Sequence, residues 1–370
     1  MSVTYVGLDA HKKTIVSATA EDGRTGEVRS QGTIENTPTN VDKLIKRLAK
    51  SGHELHFCYE ASCCGYGLHR QIVAAGYKCD VIAPSRIPSK PGDHIKTDRR
   101  DAMKLARLLR AGELDAIWIP DAAHEAMRDL IRSRHDAMKH LTATKQQLLS
   151  FLLRHGRIYT GKTTWTHRHY RWLADQKFDF PAQQIVFQDY INAVRDADKR
   201  HADLIKQIER LVPHWSLNLL VEALCLLKGV NLIVAATILS ATGDLRRFAT
   251  PMQLSAYLGS VPSEHSSGDN VKRGGITKAG NGEARRVLIQ ASWCYRFPAR
   301  VTNGKEAKLS AADKALRDVA WRAQKRLCER YRALTAKGKK APVACVAVAR
   351  ELATFIWEMG QLVPPVYSPC

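Results

Sequence analysis

Apolar and polar residues alternate at strand spacing at the start of the chain and then shift to helical spacing for most of its length. Residues 4–9, 14–20 and 27–34 read as three short strands separated by turn chemistry, with Glu21-Asp22-Gly23-Arg24 as a hairpin signal. Val41, Leu44, Ile45 and Leu48 recur at helical spacing. A strand is expected at 54–59, a helix near 63–76 that Gly76 ends, and a strand from Lys78 to Ala83. Ala102, Leu105, Ala106 and Leu109 share one face of a helix running from Asp98 to Leu109, and Trp118 to Pro120 is expected as a last short strand. Long helices follow. One covers 123–155 through Met127, Leu130, Ile131, Leu141, Leu148, Leu149 and Leu152, and another covers 183–212 through Ile191, Val194, Leu204, Ile208 and Leu211. Leu226 to Leu239 predicts a helix, a tight turn at Gly229 and a second helix, and Phe248 to Leu258 continues as helix. Lys305 to Met359 is helical and basic, with Val319, Leu327, Val343, Val346, Ala349, Leu352 and Ile356 as its apolar positions.

The expected order βββαβαβα is that of the ribonuclease-H-like fold. The fold class is therefore α/β plus α: a RuvC-like mixed sheet at 1–122, a long helical, coiled-coil-like region at 123–212, and a mainly helical region at 213–370. Four acidic residues stand out in the first part. Asp9 closes the apolar run Tyr5-Val6-Gly7-Leu8, and Glu60 closes Leu55-His56-Phe57-Cys58-Tyr59. Asp98 and Asp101 sit three apart at the start of a helical pattern and so share a face. Clustered carboxylates repel one another unless a hard cation neutralises them, and Mg²⁺ is the usual choice. In a basic protein such a cluster points to metal-assisted phosphodiester chemistry on nucleic acid.

Charge supports that reading. The chain has 370 residues and a formal net charge of +21. Residues 1–122 hold 18 Lys+Arg against 15 Asp+Glu, so the remaining 39 against 21 place most of the excess in the last two thirds. A polyanionic partner follows, nucleic acid being the commonest. The nine cysteines contain no C-x-x-C pair, which argues against a zinc site and a disulfide framework and for reduced cytoplasmic thiols. A charged leader with an apolar stretch is not seen at the start, and no run reaches the length of a membrane span.

Two stretches carry candidate binding chemistry. Between the long helices, Leu153 to Trp172 interleaves aromatic and basic side chains, with Arg154, Lys162, Trp165 and Arg168 as candidates for contacts to nucleic acid. Aromatics that merely anchor a loop on the helical pair fit the same pattern. Gly156 to Thr163 also matches G-x-x-x-x-G-K-[ST], but a phosphate loop needs a buried strand before it and a helix directly after, and a Leu-rich helical run precedes it here. The second stretch, Gly259 to Asn281, is rich in Ser and Gly. There Lys272, Arg273 and Lys278, followed by Arg285 and Arg286, supply charge where glycines permit close approach to phosphate.

Taken together these residues resemble the DEDD transposases of the IS-one-ten group of bacterial insertion sequences, relatives of the Piv-type DNA invertases. The carrying motifs are Gly7-Leu8-Asp9-Ala10-His11-Lys12, Tyr59-Glu60-Ala61-Ser62, Lys96-Thr97-Asp98-Arg99-Arg100-Asp101-Ala102, Leu258-Gly259 to Pro262, Ser266-Ser267-Gly268, Thr277-Lys278-Ala279-Gly280-Asn281 and Arg285-Arg286. The resemblance implies that Asp9, Glu60, Asp98 and Asp101 hold Mg²⁺ and that Ser267 is a nucleophile forming a phosphoserine with DNA. Where family members often have Glu before that serine, Ser266 stands here, which leaves Ser266 as the alternative. The resemblance also implies a structured noncoding bridge RNA that pairs with donor and target DNA, a tetramer built as a dimer of dimers, and action in the bacterial cytoplasm at the nucleoid. A hydrolytic RuvC-like nuclease and a noncatalytic nucleic-acid-binding protein are the competing readings. A sugar-kinase-like ATPase lacks its Gly-rich turn at His11-Lys12-Lys13.

Overall fold

A computed structural model describes residues 2–88, 97–264, 266–267, 270 and 272–364, without the side chains of Arg273 and Asn303. Lys96, Gly268 and Cys370 lie outside the described residues. The chain divides into two compact units, Met1–Ile119 and Pro120–Cys370.

The first unit is a five-stranded sheet with helices on both faces. Its elements are β1 (Val3–Ala10), β2 (Thr14–Glu21), β3 (Val28–Glu35), α1 (Pro38–Ala49), β4 (Glu54–Glu60), α2 (Gly67–Ala74), β5 (Lys78–Ile82) and α3 (Asp98–Arg110). The strand order is β3-β2-β1-β4-β5. β1 to β3 form an antiparallel meander, and β4 and β5 run parallel to β1, giving the mixed sheet of a RuvC-like domain. Side chains alternate between the sheet faces. Val6, Leu8, Ala10, Leu55, Phe57 and Tyr59 pack beneath α1 and α2, while Cys58 and Ile82 meet Leu105 and Leu109 of α3 on the other face.

Helix α3 lies unusually close to the sheet. A Cβ on Gly7 would stand 2.3 Å from the Ala102 carbonyl oxygen and 2.4 Å from the Ala106 nitrogen. Only glycine on β1, facing alanines on α3, allows that approach. Thr37 and Thr97 cap α1 and α3 by accepting from Asn40 N and Arg100 N.

Two sequence expectations need correction here. The region 61–66 is turn and α2 begins only at Gly67, because Gly65 takes a φ of +67° and its carbonyl accepts from the Tyr59 hydroxyl at 3.1 Å. Trp118 to Pro120 is not a strand: the chain touches the sheet edge earlier, where Ala116 bridges Ile82 and Ile117 N donates to Val81 O at 2.8 Å.

The second unit is helical. α4 (Ala122–Arg154) and α6 (Pro181–Leu211) pair lengthwise, and α5 (His167–Ala174) lies in the connection between them. A helix of 33 residues such as α4 is about 50 Å long. Leu141, Leu148, Phe151 and Leu152 of α4 meet Phe187, Val194 and Ala197 of α6 and Leu173 of α5. Met127, Ile131 and Ile208, at the other end of the pair, join the main core. That core is built from α7 (Asn218–Leu224), α8 (Leu232–Thr242), α9 (Pro251–Tyr257), α10 (Gly282–Ser292), α11 (Asn303–Ala311), α12 (Lys314–Ala336) and α13 (Ala341–Leu362), with a hairpin of β6 (Pro262–Glu264) and β7 (Arg273–Ile276) between α9 and α10. The stretch expected only as a basic loop therefore contains a short antiparallel pair. α8 is apolar all round and buried at the centre. Its end carbonyl at Ser240 accepts from His124 Nε2 and Arg128 Nε, at 3.1 and 2.9 Å. The turn expected at Gly229 has φ +81° and faces the Ala291 carbonyl, and the half-buried Lys305 ammonium donates to the carbonyls of Cys225, Leu227 and Val230 around it. Gly156 to Thr163 is preceded by α4 rather than by a strand. Among the described residues the cysteines are free, and no helix is long and apolar enough to cross a membrane.

The fit of α3 against β1 generates a prediction. Gly7→Ala forces a methyl into helix backbone, and it is expected to destabilise the protein by about 1–3 kcal/mol, the usual cost of overpacking. Denaturant titration followed by circular dichroism checks this.

Candidate active site

Asp9 leaves the α3 face of β1 two residues after Gly7. Glu60 holds the equivalent place on β4. The register pairs Leu8 with Tyr59, so Asp9 and Glu60 each follow by one residue and share a sheet face, with the strands about 4.8 Å apart. Because α3 is pressed onto Gly7 through Ala102 and Ala106, its first turn overhangs the end of β1. That turn carries Asp98 and Asp101, whose charges the helix N-terminus favours.

His11 completes the arrangement. It follows Asp9 by two residues, and its turn is tied down by His11 N to Thr14 O at 2.8 Å and by Asn36 Nδ2 to His11 O at 2.7 Å. Its Nε2 lies 3.2 Å from Asp9 Oδ2 and 3.7 Å from Asp98 Oδ2. Asp9, His11 and Asp98 offer ligand atoms that all lie within 4.8 Å of one another. Among the described residues Glu60 and Asp101 stand outside this set, although the Asp101 charge reaches Asp9. Burial raises the Asp9 carboxyl above its ordinary value, His11 opposes this, and the neighbouring Asp98 and Asp101 charges add to it. An acidic group strained by burial and by like charges, beside two further donors, fits a hard divalent cation. His11 was not singled out as a site residue from the sequence. The signal was present, since His11 follows Asp9 by two residues just past the end of β1, close enough to share its surroundings.

The serine candidates lie in the second unit, between β6 and β7. Ser267 and Asn270 exchange backbone hydrogen bonds at 3.2 Å in both directions. Ser267 is exposed, and its hydroxyl has no hydrogen-bond partner among the described residues. The Ser266 hydroxyl donates to Glu264 Oε1 at 2.9 Å. The base of this hairpin is fastened by glycine contacts. Gly259 (φ +64°) lies against the Ala279 carbonyl and Gly280 (φ +74°) against the Tyr257 carbonyl, and a Cβ on either would come within 2.0 Å of that oxygen. Arg285 donates to the carbonyls of Leu258 and Ala279, both at 3.0 Å. Asn281 caps α10 by accepting from Glu283 N and Ala284 N.

The candidate nucleic-acid contacts are placed unequally. Lys272 and Lys278 are exposed near the hairpin, and Lys278 adopts a φ of +56°. The Arg273 side chain is outside the described residues. Arg285 is engaged by the carbonyls above, and Arg286 pairs with Glu283 and donates to Gln290 Oε1 at 2.9 Å. Arg154, in the last turn of α4, and Lys162 and Arg168, in the connection between α4 and α6, are exposed. Trp165 there is half-buried: its ring contacts His169 at 5.0 Å and carries Lys145 Nζ at 4.9 Å, and its backbone N–H donates to His169 Nδ1 at 3.0 Å. His169 in turn stacks on Trp172 at 5.7 Å.

Two family descriptions match the chain: a DEDD transposase domain over residues 6–156, and the "Transposase IS116/IS110/IS902 family" over residues 221–306. The protein y4qE of Sinorhizobium fredii, which carries a transposase name, is 48% identical over 96% of this chain and 88% of its own length. The transposase for insertion sequence element IS1533 of Leptospira borgpetersenii is 31% identical over 91% of this chain and 98% of its own. The transposase for insertion sequence element IS1111A of Coxiella burnetii is 24% identical over 82% and 77%.

The raised Asp9 carboxyl has a consequence for stability. The folded metal-free protein holds the Asp9 proton more tightly than the unfolded chain does. This contribution to stability is full at low pH and is lost as pH rises from the ordinary aspartate value through the elevated one. Asp9→Asn is therefore expected to raise the thermal midpoint of the metal-free protein at neutral pH. It is also expected to diminish the further rise that millimolar divalent cation gives the unmutated chain. Differential scanning calorimetry over a pH series, with and without cation, reads both effects.

Proposed function

The chain belongs to the IS116/IS110/IS902 family of transposases, and on that premise we propose that it is an RNA-guided recombinase of an insertion sequence. In this reading it cuts and rejoins donor and target DNA through a phosphoserine at Ser267, with Mg²⁺ held by Asp9, Glu60, Asp98 and Asp101. The observation that carries it is the strained acidic site, with Asp9 half-buried beneath Asp98 and Asp101 at the end of β1. Bound there, Mg²⁺ would neutralise charge developing on the phosphoryl oxygens. The chain's own residues do the rest. Asp9 and Asp98 fix the site from strand and helix, and His11 bridges them and steadies both carboxylates.

Ser267 supplies a hydroxyl with no hydrogen-bond partner among the described residues, on a hairpin whose base cannot shift without breaking the Gly259 and Gly280 contacts. As its oxygen bonds to phosphorus, one ester P–O bond of the strand breaks and the serine proton ends on the departing strand hydroxyl. The ester energy is kept in the phosphoserine, so a different strand end can reverse the step without ATP. A serine hydroxyl is a weak nucleophile at its free pKa, which is why the step needs the acidic site. In the proposed assembly the acidic domain of one subunit serves the serine of another within a tetramer. A bridge RNA transcribed from the element selects donor and target DNA by base pairing, at the bacterial nucleoid. The net charge of +21 suits a protein that gathers two kinds of nucleic acid.

Ser267→Ala is expected to abolish both recombination and the covalent DNA adduct on denaturing gels, whereas Ser266→Ala should retain the adduct. Continued strand cutting by Ser267→Ala would instead identify a hydrolytic nuclease. Asp9→Ala should lower recombination by at least about a hundredfold, the scale of a lost transition-state charge contact. Full recombination in that variant would remove the acidic site from the mechanism. Sequencing the RNA that copurifies after co-expression with the element's flanking noncoding DNA tests the guide.

A further inference from the structure

After α10 the chain makes a 3-10 turn, Trp293–Arg296, and continues as a strap alongside α12. The carbonyls of this strap face the protein. Phe297 accepts from Lys228 Nζ at 3.3 Å and Cys328 Sγ at 3.2 Å, Pro298 accepts from Lys228 Nζ at 2.7 Å, and Arg300 accepts from Gln324 Nε2 at 2.7 Å. The backbone is thus fixed, yet the strap leaves Phe297 53% and Val301 47% exposed. Trp321, one turn before Gln324 on the same helix face, is 42% exposed. Large apolar side chains held at the surface by a bonded backbone mark a surface kept for a partner.

Cations interleave with these rings. Arg296 stands 4.6 Å from the Phe297 ring and 5.9 Å from that of Trp293, and Lys325 stands 5.9 Å from the Trp321 ring. Arg322, Arg326 and Arg330 of α12 are paired with Glu358 and Glu351 of α13. Arg296, Arg300 and Lys325 have no carboxylate partner among the described residues. Residues 291–332 hold eleven Lys or Arg against four Asp or Glu.

We propose that this strip, formed by Trp293, Phe297, Val301 and Trp321 with Arg296 and Lys325, is a stacking platform for a short unpaired stretch of DNA. Rings offer their faces to bases while the cations follow the phosphates. A closed duplex hides its base faces and cannot use the rings. A second copy of this chain would set the same cations against each other across a two-fold axis. DNA is chosen because the family transposes DNA, and to that extent the inference rests on the function proposed above. The occupant is the strand opened when a substrate duplex is parted.

Fluorescence anisotropy of labelled oligothymidylate with the purified full-length protein tests this. Phe297→Ala with Trp321→Ala is expected to weaken binding by on the order of tenfold or more, as loss of base stacking does. Phe297→Tyr with Trp321→Phe keeps the rings and should stay within about twofold of the unmutated protein. Both positions are exposed, so the thermal midpoint should hold in all variants. Unchanged affinity in the double alanine variant would overturn the platform, as would an equal loss for duplex DNA. A loss of oligouridylate affinity in the double alanine variant as large as the loss for oligothymidylate would overturn DNA as the occupant. Loss of self-association in the absence of nucleic acid, seen by sedimentation, would give the strip to a second copy. The readout requires neither adduct nor recombination, so failure of the serine reading and failure of the platform are separate results.

Discussion

The backbone of α3 lies against β1 at Gly7, and the chemistry of the first unit depends on that contact. Glycine removes the side chain that would hold a helix away from the sheet, and Ala102 and Ala106 remove bulk from the other side. The first turn of α3 is then set over the end of β1, and Asp98 meets Asp9 through His11. Without the close approach the carboxylates would still end their elements, but no short set of donors would form. The packing also explains the cost at the site. Pressing α3 down buries Asp9 and brings two like charges to it, and both effects raise its carboxyl. The protein therefore carries a local electrostatic strain that a cation would relieve.

The second unit solves a similar problem with the same device. The nucleophile proposed at Ser267 sits on a hairpin and needs a base that does not wander. Here Gly259 and Gly280 let two segments touch backbone to backbone, and Arg285 bonds the carbonyls left at the seam. An arginine that looks from the sequence like a phosphate ligand is engaged in fixing the loop. In both units glycines set the approach distance, polar side chains satisfy what the approach leaves open, and the chemistry-bearing residues project beyond the contact.

Much of this was legible in the sequence, and what was not has physical causes. Apolar periodicity located the strands and the long helices to within a few residues, because each buries one face. Asp9, Asp98 and Asp101 stood out because acidic residues closing an apolar strand or opening a helix are rare without a purpose. The start of α2 and the absence of a strand at Trp118 were not legible, since both are decided by partners distant in sequence: the Tyr59 hydroxyl on Gly65 and the edge of β5. Trp165 shows the same limit. Its composition suits a base-stacking surface, but its ring packs on His169 beneath Lys145, and only tertiary contacts distinguish an anchor from a platform. Phe297 and Trp321 were not singled out from the sequence, and only the packed chain shows that their rings are left exposed.

The uneven charge along the chain follows from the same site. An acidic cluster meant for a cation must not be neutralised by the protein's own lysines and arginines, because a paired carboxylate is a poorer ligand. Residues 1–122 are nearly balanced in charge, and among the described residues Asp9 and Asp98 pair with a histidine rather than with lysine or arginine. Nucleic acid nonetheless has to be gathered, and attraction to phosphates scales with the cations available. Most of the net excess lies beyond residue 122, where it supplies a field that attracts a polyanion. A lysine or arginine paired with Asp9 would lower its carboxyl and weaken the relief that a bound cation provides. The pairing of Asp9 with a histidine is thus part of what keeps the acidic site open to a cation.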